Sequence, residues 1–468
     1  MMNLTGYQLN KQLYNGSRTI VYRGEREFDG LPVAIKFLKN PYPNFSELVQ
    51  FRNQYTIAKN LNSPRIVKTY SLETYQNSYA LVMEDFGGVS LSDYFQVREK
   101  LPAQLLPEFL SIALVISDAI DILYRERVIH KDIKPSNILI NPQTKEVKLI
   151  DFSIASLLPR ETQTILNPNH LEGTLAYISP EQTGRMNRGI DYRTDFYSLG
   201  VTFYELLAGE LPFLANDPME LVHCHIAKLP KLVHEINPEI PVVISKIVAK
   251  LMAKNAENRY QSALGLKWDL ERCWQHLQAK GKIETFPIAQ RDLCDRFIIP
   301  DKLYGRETEV EILLQAFDRV SQGATEMMLV AGFSGIGKTA VVNEVHKPIV
   351  RQRGYFIKGK FDQFQRNIPF SAFVQAFRDL MGQLLSESDA QIQQWKQQIL
   401  EVLGENAQVI IEVIPELESI IGPQPAVVEL PGTAAQNRFN LLFQKFTQVF
   451  TRVEHPLAIF LDDLQWAD

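Results

Sequence analysis

Cysteine is scarce in this sequence: Cys224, Cys273 and Cys294 are the three among 468 residues, and none sits in a CxxC pair. That excludes a disulfide framework and fits a reducing, cytoplasmic setting. Charge of one sign is not in excess either. With 49 Lys and Arg against 54 Asp and Glu, the net charge of −5 offers no basic footprint for nucleic acid or an anionic membrane. Met1 to Asn10 contains no basic-then-apolar leader, so no signal peptide is expected. Long uncharged apolar runs are lacking too. The most apolar stretch, Leu105 to Tyr124, carries Glu108, Asp118 and Asp121, and reads as a buried bundle helix rather than a membrane span. His223-Cys224-His225 stands without a second Cys/His cluster, which does not suggest a metal site. What is present is size: 468 residues, 45% of them hydrophobic, can bury two separate cores.

The stretch around which the chain is organised is Val128-Ile129-His130-Lys131-Asp132-Ile133-Lys134-Pro135-Ser136-Asn137-Ile138-Leu139-Ile140, followed by Val147-Lys148-Leu149-Ile150-Asp151-Phe152-Ser153. It sets a candidate base (Asp132), a cation (Lys134), an amide ligand (Asn137) and a metal-binding carboxylate (Asp151) around one hairpin. Phosphoryl transfer needs such a set: a carboxylate for the acceptor hydroxyl, Mg²⁺ ligands, and positive charge near the moving group. The stretch resembles the catalytic loop and metal-binding motif of eukaryotic-like Ser/Thr protein kinases, with Lys131 in place of the Arg of H-R-D and Ser153 in place of the Gly of D-F-G.

Further motifs follow the same family in order. Tyr7 to Val33 alternates apolar and polar residues as a small antiparallel sheet does. Within it, Leu13 to Tyr22 stands where the family has its glycine-rich phosphate lid. Gly16 alone survives of the three glycines, with Tyr14 and Thr19 at the outer positions. Val33-Ala34-Ile35-Lys36 matches the strand whose lysine reaches the α- and β-phosphates. A helix expected from about Phe45 to Leu61 should bring Gln54, where the family has glutamate, to Lys36 as an uncharged partner. Glu47 on the same helix could substitute only if the helix shifted by two turns. Tyr79 to Gly88 resembles the hinge, with Met83 as gatekeeper and the backbones of Glu84 and Phe86 offered to adenine.

The resemblance therefore implies an ATP site formed by Leu13, Gly16, Val21, Ala34, Lys36, Glu84 and Phe86. It implies Asp132 and Lys134 as catalytic residues, and Asn137 and Asp151 as Mg²⁺ ligands. Ser179-Pro180-Glu181 stands for A-P-E at the end of an activation segment that contains Thr162, Thr164 and Thr174. Asp195 is expected to brace the catalytic-loop backbone, to cap its own helix, or both. Glu181 is expected to pair with Arg259.

A second motif lies further on. Helical pattern ends at Gly281, and Pro287, Pro300 and mixed polar residues read as a linker. A helix is expected from Leu303-Tyr304-Gly305-Arg306-Glu307 to about Val320, then a buried strand at Met327-Met328-Leu329-Val330. It leads into Gly332-Phe333-Ser334-Gly335-Ile336-Gly337-Lys338-Thr339, a complete G-x-x-x-x-G-K-[ST]. Backbone N–H groups of such a loop cradle phosphates, Lys338 reaches the terminal ones and Thr339 ligates Mg²⁺. Leu457 to Asp463 supplies the acidic strand, with Asp462 as a Mg²⁺ ligand and Asp463 orienting water. The Gly-Arg-Glu entry and the Asp-Asp-Leu-Gln-Trp-Ala-Asp ending resemble signalling ATPases related to the AAA+ class. In that fold the strand before the loop lies between two strands that come later than Asp468, so the ATPase unit is expected to be truncated.

The sequence thus predicts an α+β bilobal protein-kinase fold over 7–278, a linker over 279–302, and an incomplete α/β P-loop NTPase domain over 303–468. The expected function is an ATP- and Mg²⁺-dependent kinase acting on protein Ser/Thr hydroxyls, without nucleic-acid or membrane partners. The alternative is a pseudokinase-like ATP-binding regulatory module, suggested by Tyr14, Thr19, Gln54 and Ser153. Resemblance also implies a longer bacterial signalling protein with further sensor and histidine-kinase domains.

Overall fold

A computed structural model describes residues 4–95, 100–157, 173–184, 189–215, 217–293, 305–333, 336–351, 354–361, 370–385, 387, 389–428, 430–452 and 455–467. Thr162, Thr164, Cys294, Pro300, Leu303, Tyr304, Ser334 and Gly335 lie outside them.

The first unit begins with a five-stranded antiparallel sheet made of β1 (Tyr7–Asn15), β2 (Thr19–Arg26), β3 (Pro32–Leu38), β4 (Thr69–Tyr75) and β5 (Ser78–Glu84). Its order is β1-β2-β3-β5-β4. Period-two alternation sorts β3: Val33, Ile35 and Phe37 join Ala80 and Val82 in one apolar cluster, while Ala34 and Lys36 point to the other face. On that second face Lys36 pairs in register with Val21 on one side and Leu81 on the other. Leu81 packs with Phe51 of α1 (Phe45–Asn60), so one helix covers the face that carries the lysine.

The start of α1 is set by a capping box. Asn44 N–H donates to Glu47 Oε2 and Glu47 N–H donates to Asn44 Oδ1, each at 2.9 Å. Glu47 is thereby used at the helix end, and Gln54 is left as the helix residue beneath Lys36.

The second lobe is helical. The helices Leu106–Arg125, Arg193–Ala208, Val242–Leu251 and Ala263–Lys280 share one large core, with Leu110, Ala113, Tyr197, Leu207, Leu251 and Leu266 fully buried in it. The catalytic stretch lies on this lobe as a β-hairpin, Ile138–Ile140 against Val147–Leu149. It is tied to the connection from the sheet by Val67 N–H donating to Leu149 O and Leu149 N–H donating to Arg65 O. Ala263–Lys280 ends at Gly281, whose φ of 66° makes the left-handed cap. Beyond it, the first part of the expected linker is packed: Phe286 is buried, and Ala289 and Asp292 are hydrogen-bonded to the helical lobe.

Among its described residues the second unit contains one parallel pair, Tyr355–Lys360 beside Leu457–Asp462, in register from Tyr355 opposite Leu457 to Lys360 opposite Asp462. The helices Ser371–Leu384, Asp389–Leu403 and Gly432–Phe450 build its core around Phe377, Ile399, Phe446 and Phe450. The buried strand expected at Met327–Val330 is absent. These residues form no ladder among the described residues, and Met327 is 93% and Leu329 73% exposed. The physical reason is pairing: a strand exists through its neighbours, and among the described residues none pairs with this segment.

Candidate functional site

The site is built on the catalytic loop. Lys134 Nζ lies 2.6 Å from Asp132 Oδ2, and Asn137 Nδ2 donates to the same oxygen at 2.9 Å and to the Asp132 carbonyl at 2.9 Å. The other carboxylate oxygen, Oδ1, takes the Thr174 N–H at 3.0 Å, while the Thr174 hydroxyl accepts from Lys134. Asp132 is thus held in one rotamer by three groups, two of them from its own loop. Asn137 spends its amino group on Asp132, so the amide oxygen of the same side chain is its remaining ligand atom.

The loop backbone is braced from below. Asp195 accepts N–H bonds from His130 and Lys131, both at 2.8 Å. Asp195 does not cap its helix: the N-cap position is Tyr192, which makes no side-chain cap bond. Burial pushes the Asp195 carboxyl up against these bonds, which favour the charged form. Lys131 takes φ 69°, and Gln182 Nε2 fixes its carbonyl at 2.9 Å.

Above the loop, Lys36 Nζ bonds Gln54 Oε1 at 3.0 Å and Asp151 Oδ1 at 2.9 Å. Burial alone would raise the Asp151 carboxyl; the Lys36 charge and hydrogen bond outweigh it and hold the group down at about 2, so it is ionised. Asp151 also carries the positive φ of its motif, 66°, and Ser153 is not among the residues with positive φ. Glycine is therefore not required at 153. Phe152 is buried edge-to-face against His130, with ring centroids 4.8 Å apart.

The remaining ATP-site residues fall along the cleft. Leu13 on β1 is exposed, Val21 on β2 lies opposite Lys36, and Ala34 on β3 lies opposite Met83. Gly16 sits in the β1–β2 turn, its N–H bonded to Thr19 O at 3.0 Å. The Tyr14 ring folds onto it so closely that a Cβ at Gly16 would lie 2.2 Å from the hydroxyl. In the hinge, the Glu84 side chain takes Lys148 Nζ at 2.7 Å, Asp85 pairs with Arg23, and the Phe86 carbonyl accepts from Asn141.

Sequence reasoning missed two members. Leu139, half-buried on the hairpin, approaches the hinge glycine: a Cβ on Gly88 would lie 3.0 Å from Leu139 Cβ. Its place between the buried Ile138 and Ile140 is the period-two signal that could have found it. Thr174 was legible only as a hydroxyl in the activation segment; the fold brings it across 42 positions to Asp132.

In the second unit the two halves of the P-loop motif meet. Thr339 Oγ1 bonds Asp462 Oδ2 at 3.2 Å. Lys338 Nζ turns back onto the carbonyls of Gly332 and Phe333 at 3.0 and 3.1 Å. Gly337 takes φ 94°, a left-handed conformation in which a side chain is strained. Asp463 pairs with Lys360 at 3.2 Å, and its hydrogen bond from Gln465 leads the groups that hold its carboxyl below the ordinary range.

Comparison with known proteins finds two families along the chain. The family model described as protein kinase domain matches residues 7–270, and the one described as AAA ATPase domain matches residues 302–468. The hybrid signal transduction histidine kinase G of Dictyostelium discoideum is 34% identical over 449 aligned residues, which cover 77% of this chain and 13% of that protein. A probable serine/threonine-protein kinase of Clostridium perfringens is 32% identical over 267 residues, 57% of this chain and 38% of its own. The serine/threonine-protein kinase PrkC of Bacillus subtilis is 32% identical over 268 residues, 57% of this chain and 40% of its own. The chain thus spans between 13% and 40% of the length of these relatives. Among the described residues no helix is long and apolar enough to cross a membrane.

Proposed function

Because the chain belongs to the protein kinase family, with its kinase domain joined to an AAA-type ATPase domain, we propose that it transfers the γ-phosphoryl group of ATP to Ser or Thr hydroxyls of proteins in signal transduction. The observation that carries this reading is the convergence of Lys134, Asn137 and Thr174 on the Asp132 carboxylate. In that arrangement Asp132 orients the acceptor hydroxyl and takes its proton as the new O–P bond forms and the bond from the γ-phosphorus to the β–γ bridging oxygen breaks, releasing ADP. Lys134, 2.6 Å from the carboxylate, places a positive charge where the γ-phosphoryl charge develops. Lys36 positions the α- and β-phosphates. Leu13, Gly16, Val21, Ala34 and Leu139 enclose the nucleotide, and the backbones of Glu84 and Phe86 meet adenine.

The donor set fits a hard divalent cation: an ionised Asp151 carboxylate and the Asn137 amide oxygen, both oxygen ligands. Among the described residues no group of three or more His, Cys, Asp or Glu could hold a metal by itself. Mg²⁺, which binds through one or two protein oxygens together with substrate phosphates, suits such a site. When bound it would neutralise phosphate charge between Asp151 and Asn137. We take residues 7–278 as the kinase domain and 303–468 as a second nucleotide-binding unit, in which Gly332, Gly337, Lys338 and Thr339 cradle phosphate and Asp462 assists with the metal. The similarity over both domains to a hybrid signal transduction histidine kinase supports a place beside further sensor domains.

Transfer of labelled γ-phosphate to a generic protein, or to the chain itself, tests the assignment. We expect Asp132→Asn to reduce it by at least a hundredfold, in line with the loss of a positioned base. Equal incorporation by both proteins overturns the reading.

A further inference from the structure

Residues 282–293 leave the helix Ala263–Lys280 and fold back along it. Phe286 is buried between His276, with ring centroids 5.6 Å apart, and the Arg272 guanidinium at 4.3 Å from its ring. The Arg291 guanidinium lies over Trp268 at 5.2 Å. Ala289 donates its N–H to Asp269 Oδ2 at 2.7 Å, the same oxygen that accepts from the Tyr260 hydroxyl at 2.5 Å. Asp292 then accepts from the N–H groups of Gln261 and Ser262, each at 2.9 Å, and from Ser262 Oγ at 3.1 Å. The stretch therefore clasps the turn Tyr260-Gln261-Ser262 at two points.

That turn is the neighbour of the activation-segment anchor. Arg259, fully buried, grips Glu181 through Nη1 at 2.5 Å and Nη2 at 2.8 Å. The next residue after Glu181, Gln182, holds the Lys131 carbonyl at 2.9 Å, and Lys131 precedes Asp132. Gln261 also accepts from Arg193 Nη1 at 2.8 Å through its own side chain. The contacts thus run from Asp292 through a turn, a buried ion pair and an amide to the backbone carbonyl of Lys131, which precedes the catalytic carboxylate.

We propose that Asp292 is a positioning residue for phosphotransfer: the stretch leading toward the P-loop domain is a latch that fixes the Arg259–Glu181 anchor and, through it, the catalytic loop. The inference rests on the kinase reading above. The bland alternative, that 282–293 merely covers an apolar helix face, predicts lower stability without a kinetic signature. Gly265 separates the two. A Cβ there would lie 2.5 Å from Asp292 Oδ1 and 2.7 Å from Asp292 Cα, and its three nearest atoms all belong to Asp292. Alanine is the better helix former, so Gly265→Ala dislodges the latch while favouring the helix that carries it.

The test uses the full chain as wild type, Asp292→Ala, Asp292→Asn, Gly265→Ala and Asp132→Asn. Phosphotransfer is measured at a temperature where circular dichroism shows each protein folded, and hydrogen exchange is followed at Ser179–Thr183. We expect Asp292→Ala and Gly265→Ala to lower kcat about ten- to a hundredfold, the scale of small misplacements of a reacting group. KM for ATP should stay within about twofold, Asp292→Asn, which keeps an acceptor oxygen, should recover part of the rate, and exchange at Ser179–Thr183 should quicken. An unchanged kcat in folded Gly265→Ala and Asp292→Ala overturns the latch. If the wild type transfers no more than Asp132→Asn, the kinase reading falls separately. Exchange then decides the latch, which unchanged protection at Ser179–Thr183 overturns.

Discussion

Lys36 shares its ammonium group between Gln54 and Asp151, at 3.0 and 2.9 Å. The amide aligns the lysine but contributes no charge, so the full charge of Lys36 is directed at Asp151, which the sequence assigns to a metal. A carboxylate at position 54 would draw the lysine toward the helix and leave Asp151 freer for a cation. Charge-assisted hydrogen bonds are roughly twice as strong as neutral ones, so we expect Gln54→Glu to raise the transfer rate about three- to tenfold. Initial rates at saturating ATP check this. A fall would mean that Lys36 needs its pairing with Asp151 more than a charged partner on α1.

Glu181 and Arg259 are expected to set the acid stability of the kinase domain. Glu181 is buried, which raises its carboxyl; Arg259 outweighs this and holds it down at about 2. Because its folded value lies below the ordinary 4.5, the pair stabilises the fold fully above pH ~4.5 and loses that contribution as pH falls toward about 2. Arg259→Ala leaves Glu181 buried with the Thr194 hydroxyl but without its cation, at a cost of about 3–5 kcal/mol. Thermal melting from pH 7 to pH 3 should show a steep drop below pH ~4.5 for the wild type. For Arg259→Ala the melting temperature should already be low at pH 7. A variant that melts like the wild type at pH 7 would remove the pair from this role.

Asp195 connects stability to chemistry. Its two oxygens satisfy the N–H groups of His130 and Lys131, which have no water to turn to. Asp195→Ala orphans both donors, at about 1–3 kcal/mol each, and lets the loop before Asp132 relax. We expect a kcat loss of more than about tenfold together with a lower melting temperature, and a milder loss in Asp195→Asn, which keeps one acceptor. Equal kcat in wild type and Asp195→Ala would show that the loop holds its shape without the brace.

How much of this was legible depended on where the chemistry is encoded. The catalytic loop was readable because Asp132, Lys134, Asn137 and Asp151 lie close in sequence and their side chains do the work. The pairing of Lys36 with Gln54 was readable only through the family resemblance, which places Gln54 where that family has its glutamate. Long-range backbone contacts were not. Pro287 and mixed polar residues look like a linker, and nothing in the letters says that Asp292 will accept from Gln261 and Ser262, 31 and 30 positions earlier. Thr174 likewise reaches Asp132 through its N–H, a group every residue but proline owns.

The P-loop unit supplies the opposite case, in which letters suggested more order than the fold provides. Met327-Met328-Leu329-Val330 is apolar enough for a buried strand, yet it is unladdered among the described residues, with Met327 to Leu329 exposed and Val330 half-buried, while Tyr355–Lys360 and Leu457–Asp462 hold each other in register. An exposed amide without a ladder exchanges at close to the open-chain rate, whereas a paired and buried one waits for local opening. We expect the amides of 327–330 to be exchanged at the earliest labelling time, and those of Tyr355 to Gly359 to lag by at least about a hundredfold, the effect of a few kcal/mol of protection. Thr339→Ala should leave this contrast unchanged, because its hydroxyl bonds Asp462 at the strand end rather than the ladder. Protection at 327–330 equal to that at 355–359 would mean that the segment is paired after all, and the exposed apolar stretch would cease to be a feature of this chain in solution.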